Sequence, residues 1–167
     1  MTNPGDFTEF MGHSWARLYR TAMLLTGNHA RAEDLAQEAL ARTYAKWSGL
    51  RDFEAAGAYA YRTLVNASIS QVRRRAWTAE ITTANPPDKS AHEAPSSGVD
   101  LMAALADLAP RQRACVVLRY FLELPVSETA ALLGCSEGTV KSQTSDALGR
   151  LRILLASELS TSEGSPR

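Results

Sequence analysis

Between Pro125 and Arg152 the stretch PVSETAALLGCSEGTVKSQTSDALGRLR sets a break, Gly134-Cys135-Ser136, between two apolar-periodic runs. A chain can pass such a break only by ending one helix and starting another. Gly134 can take the left-handed conformation that closes a helix. Ser127 is expected to cap the short helix before the break. Ser136 is expected to cap the longer helix after it, where Glu137 complements the positive end of the helix dipole. In that longer helix Val140, Thr144, Ala147, Leu151 and Leu154 fall on one face. Thr139, Ser142, Gln143, Asp146 and Arg150 look outward or flank it. A short helix, a tight glycine turn and a second helix with a polar outer face form the helix-turn-helix pattern, whose second helix can lie in the major groove. There Gln143 suits an adenine edge, Lys141 a guanine or a phosphate, and a threonine methyl a thymine methyl. The same pattern equally describes a helical hairpin with a solvated polar face.

The rest of the chain also reads as helix. Residues 6–26 carry Phe7, Phe10, Met11, Trp15, Leu18, Tyr19, Ala22 and Leu25 at helical spacing. Gly27 ends this helix and Asn28 caps the next, in which Leu35, Ala39 and Thr43 share a face opposite Asp34, Gln37, Glu38 and Ala41. After a connector with a cap at Asp52, a third helix spans 55–77 and passes through Arg73-Arg74-Arg75. Residues 78–99, TAEITTANPPDKSAHEAPSSGV, lose apolar periodicity and turn to Pro, Ser, Thr and Ala, the composition of a flexible linker. Residues 100–109 form a further helix, and Pro110 opens another that is expected to run to Pro125. The tail, 157–167, reads as disordered. Strand signals and internal repeats are absent. The expected fold is all-α: two small helical domains, 6–77 and 100–156, on a tether.

Composition narrows the function. Lys plus Arg (18) equals Asp plus Glu (18), a formal net charge of +0. Such a chain should grip nucleic acid weakly alone, because non-specific affinity comes mainly from neutralising phosphates. Any nucleic-acid role then needs local basic patches or a partner. Cys115 and Cys135 are read as free thiols in a reducing compartment, Cys115 in the core. No signal peptide and no membrane-length apolar run is evident, which points to a cytoplasmic protein. His13, His29 and His92 lack metal-ligand spacing, and no G-x-S-x-G, P-loop or H-E-x-x-H occurs. Neither catalysis, nor a metal, nor a cofactor is expected.

Three stretches carry a resemblance: AEDLAQEALARTYAKW, AYAYRTLVNASISQVRRR, and LADLAPRQRACVVLRYFLELPVSETAALLGCSEGTVKSQTSDALGRLR. In order and spacing they resemble the extracytoplasmic-function group of bacterial RNA polymerase sigma factors, which keeps only sigma regions 2 and 4 joined by a linker. The resemblance spans about residues 7–155, and GTVKSQTS is similar to the sigma-E-like subgroup of high-GC bacteria. It implies a promoter-specificity factor that binds core polymerase through the clamp helices and the flap. It implies that Asp34, Gln37, Glu38 and Arg42 dock on the clamp helices. The loop at Leu50, Arg51 and Asp52 would capture an unstacked base of the −10 element. Tyr61, Arg62, Asn66, Arg73, Arg74 and Arg75 would read that element and hold the separated strand, through stacking and a basic track. Tyr59 and Tyr61 point about 200° apart on a helix, so at most one of them faces DNA. Ser136, Thr139, Lys141, Ser142, Gln143, Ser145 and Arg150 would read the −35 element. An anti-sigma partner that covers the polymerase-binding faces is a further implication. Gln143, Asp146 and Leu148 depart from the basic residues of many relatives, which implies weak −35 binding by the isolated domain or an unusual −35 sequence. The rival reading is a stand-alone helix-turn-helix regulator that binds a palindrome as a dimer.

Overall fold

The computed structural model describes residues 4–81 and 100–162, and every regular element in them is helical. The chain divides into two compact units, Met1–Asn85 and Pro86–Arg167. The expected linker, apart from the end of a helix described below, and the end of the tail lie outside the described residues.

In the first unit α1 (Pro4–Thr26), α2 (His29–Ala45) and α3 (Phe53–Ile81) pack against one another. Gly27 at φ 63° turns the chain out of α1, and the Asn28 side chain accepts the Arg31 N–H to begin α2. Leu18, Ala22 and Leu25 of α1 are buried with Leu35, Ala36 and Ala39 of α2 and Ala60, Leu64 and Val65 of α3. The many alanines let the helix axes approach closely. Thr21 and Thr43 are fully buried, yet each hydroxyl donates to a carbonyl one turn back, Arg17 and Ala39. After α2 a 3₁₀ turn, Trp47–Gly49, drives Trp47 into an aromatic cluster with Phe7, Phe10 and Phe53. Asp52 then caps α3 through the Ala55 N–H at 2.8 Å. α3 continues through Ile81, past the boundary expected at Trp77. The expected linker therefore begins inside a helix: its first residues lack apolar spacing but contain no helix breaker before Pro86.

The second unit holds α4 (Leu101–Ala106), α5 (Pro110–Val116), α6 (Val126–Leu133) and α7 (Glu137–Ser162). Cys115, Val117, Leu118, Leu133, Val140 and Ala147 are buried at its centre. Three expectations change here. The helix α7 runs on to Ser162, into the tail read as disordered from residue 157. The helix opened by Pro110 does not run evenly to Pro125. From Val117 to Phe121 it widens to a π turn, with the Leu122 N–H on Val117 O, and Glu123 leaves it at φ 55°. The wider turn seats Leu122 in the core and leaves Tyr120 and Phe121 exposed. The Arg119 guanidinium and the Leu124 N–H then close the loop onto Leu124 O and Leu118 O. The cap of α6 is also different. Ser127 lies inside the first turn, and Pro125 is the N-cap, its carbonyl taking both the N–H and the hydroxyl of Thr129. Pro125 holds φ at −62° with ψ at 160°, and no side chain caps the helix.

Candidate nucleic-acid interface

The corner between α6 and α7 is built as its residues require. Gly134 sits at φ 63°, ψ 39°, and the N–H groups of Gly134 and Cys135 both bond Ala130 O. The Ser136 hydroxyl accepts the Thr139 N–H at 3.1 Å and shares a 2.9 Å hydrogen bond with the Thr139 hydroxyl. Val140, Thr144, Ala147 and Leu151 are buried, so α7 is held by the face expected of it. Lys141, Ser142, Ser145, Asp146 and Arg150 are exposed, while Gln143 is half-buried on the flank. Not all of these groups are free to meet a ligand. The Ser142 hydroxyl donates back to Thr139 O. Arg150 donates from Nε and Nη2 to Asp107 Oδ2 at the end of α4, at 3.2 and 2.7 Å.

In the first unit the same separation of faces recurs. α2 buries Leu35, Ala36, Ala39, Leu40 and Thr43, and shows Asp34, Gln37, Ala41, Arg42 and Ala45 to solvent. Glu38 lies at the border of this surface and pairs with Arg42 at 2.7 Å; Gln37 donates to Glu33. The aromatic cluster anchors the turn that follows, so Leu50 is half-buried and Arg51 exposed.

On α3, Tyr59, Arg62, Asn66, Arg73 and Trp77 recur at spacings of three, four, seven and four, which is one helical stripe. Arg62, Asn66 and Arg73 are exposed on it. Trp77, which apolar periodicity treats only as the end of the helix, is 68% exposed at the end of the stripe. Its spacing from Arg73 is the signal that would have found it. Arg74 and Arg75 fan away from Arg73 by about 100° per residue, so the arginine triplet is divided among faces. Tyr61 turns off the stripe toward α1, near the Thr21 hydroxyl and the cations Arg17 and Arg20. Burial pushes its phenol above 10.0, and those three neighbours pull the other way. Of the two tyrosines, Tyr59 is the one on the stripe. Arg17 and Arg20, exposed on α1 beside Tyr61, add cations that no linear motif revealed.

Two family models match the chain: Sigma-70 region 2 over residues 14–78 and Sigma-70, region 4 over residues 98–151. The RNA polymerase sigma-E factor of Streptomyces avermitilis is 40% identical over 150 residues, covering 88% of this chain and 83% of that one. The chain belongs to the sigma-70 family, in its extracytoplasmic-function group. This sigma factor is also 30% identical to the ECF RNA polymerase sigma factor SigM of Mycobacterium tuberculosis, over 89% of its own length and 76% of that of SigM. Among solved structures it resembles the sigma factor RpoE, in a co-crystal with the anti-sigma factor NepR from Bartonella quintana. That match has a TM-score of 0.75 and 29% identity, and covers 90% and 97% of the two chains. CnrH shares the fold at a TM-score of 0.66 and 20% identity. As a sigma factor the protein acts with RNA polymerase in promoter recognition and transcription initiation, and the stand-alone regulator is set aside. Among the described residues no helix is long and apolar enough to cross a membrane, and no group of His, Cys, Asp and Glu is placed to hold a metal.

Proposed function

We propose that the sigma factor engages core polymerase through the outer face of α2 and reads its promoter through α3 and α7. The observation that carries this is the exposed line Asp34–Gln37–Ala41–Arg42–Ala45, with Glu38 at its border. It is polar, punctuated by small residues, and uses none of its side chains to hold the unit together. The alanines permit close approach by a partner helix, and the charges select it. The next loop presents Leu50 and Arg51 to an unstacked base. Arg62, Asn66 and Arg73 follow the strand, with Tyr59 and Trp77 as stacking surfaces and Arg74, Arg75, Arg17 and Arg20 as flanking cations. Tyr61 positions α3 against α1 instead of meeting a base. In the second unit Ser136 and Thr139 shape the start of α7, and Lys141, Ser142, Gln143, Ser145 and Arg150 line the surface offered to the −35 duplex. The polymerase flap is the partner assigned to the second unit. Once the first unit binds, the second contact becomes intramolecular and gains from effective concentration.

RpoE, similar along nearly its whole length, was crystallised with an anti-sigma factor. An anti-sigma protein that covers the α2 face is accordingly the regulator assigned here. The protein is a binding factor with no catalytic group of its own, and it works in the cytoplasm, where polymerase is found.

The test is co-elution with core RNA polymerase on gel filtration, with the wild type against an Asp34→Lys/Glu38→Lys double variant. Co-elution lost in the variant, with its helical circular dichroism intact, supports docking through α2. A variant that co-elutes as well as the wild type places the polymerase contact elsewhere.

A further inference from the structure

We propose that Asp146 is a specificity-determining residue that selects a cytosine in the −35 element by accepting a hydrogen bond from its exocyclic amino group. The proposal rests on the reading of α7 as the recognition helix and names the base that it reads at one position. At about 100° per residue, Ser142, Ser145, Asp146 and Gly149 lie opposite the buried Val140–Thr144–Ala147–Leu151 face, on the side that would enter a groove. The Ser136 and Thr139 hydroxyls engage each other, and the Ser142 hydroxyl donates to Thr139 O. Asp146 is exposed, and neither the Glu38–Arg42 nor the Asp107–Arg150 ion pair includes it.

The second of those pairs matters for Asp146. Arg150 stands one turn further along α7 and would be its natural i,i+4 partner. Its guanidinium is instead turned to Asp107 on α4, through two hydrogen bonds. The exposed Asp146 carboxylate therefore stands without that partner.

An ionised carboxylate only accepts hydrogen bonds. Phosphates repel it. In the major groove the donors are cytosine N4 and adenine N6, but adenine places the acceptor N7 beside N6, against the negative charge. Guanine offers two acceptors there, and thymine an acceptor and a methyl group. Cytosine is the base whose edge fits. The carboxylate lowers overall DNA affinity and converts the loss into discrimination, because only a site with the amino group in place offsets its repulsion.

The experiment is run-off transcription by holoenzyme reconstituted with core polymerase, on a promoter library randomised through the −35 element with a constant −10 element. Wild-type transcripts are expected to be enriched in cytosine at one −35 position by about tenfold. Asp146→Ala should flatten that position and leave the others unchanged. Asp146→Asn should shift it toward adenine, since a carboxamide pairs with adenine N6 and N7. If Asp146→Ala instead raises output on every sequence by one common factor, the residue merely repels phosphate and the proposal fails. Unchanged profiles in both variants also overturn it. A wild-type library with no preference at any −35 position would instead reject α7 as the recognition helix, and the proposal with it.

Discussion

Gly134 shows how a single residue decides a local fold. Its φ of 63° suits glycine, and a Cβ there would meet nothing within 4 Å. The cost of Gly134→Ala is therefore backbone strain alone, about 1–2 kcal/mol, read as a lower urea midpoint for the second unit. Tyr61 poses a titration question at the same scale. Its phenol is raised above 10.0 by burial, so the folded state favours the protonated form. The stability this provides is complete below the ordinary phenol value and is lost as pH rises through the raised one. Urea unfolding measured at pH 8 and again above pH 10 should show alkaline loss in the wild type that Tyr61→Phe reduces. These two residues differ in how well sequence reveals them. Gly134 was legible because a left-handed corner between two apolar repeats has one cheap occupant. Tyr61 was not, because whether its ring meets DNA or α1 depends on where Thr21, Arg17 and Arg20 stand in space.

The elements repeat that contrast. Caps made by local side chains were readable: Asn28, Asp52 and Ser136 each accept the N–H three residues on. Ser136→Ala should cost about 1 kcal/mol and fray the start of α7, seen as faster amide exchange at Gly138 and Thr139. The cap at Ser127 was misread because Pro125 had already set the helix start through its own backbone. The π turn at Val117–Phe121 was also missed, since the choice between one register and the next lies in which side chain the core accepts. Asp107 and Arg150 join α4 to α7 across a half-exposed surface, with side chains 48% and 54% exposed. Screening keeps such a pair small, so Asp107→Asn should change stability by less than about 1 kcal/mol in thermal unfolding.

At the scale of the whole molecule, charge governs behaviour. The cations of α3 are balanced by acids elsewhere, and the formal net charge is +0. Free of polymerase, the sigma factor should bind promoter DNA no better than roughly 10⁻⁴–10⁻⁶ M at physiological salt. Fluorescence anisotropy with labelled promoter duplex, with and without core polymerase, checks this; tight binding by the isolated chain would contradict it. A weak free binder suits a factor that polymerase must place on DNA.

The sequence by itself determined the helical class, the segments that form helices, the corner before α7 and the membership in a two-region sigma family. The first three rest on local chemistry, since period, caps and breakers act within a few residues; the family rests on the resemblance of three stretches of sequence. Tertiary structure alone decided which polar residues remain available. Arg150, expected among the DNA contacts, is exposed but also pairs with Asp107, forty-three residues away in the chain. Tyr61 turns to α1, the arginine triplet divides around α3, and Trp77 joins the exposed stripe because α3 extends beyond it. Availability depends on the partners that packing brings together, and a residue's neighbours in sequence do not specify them.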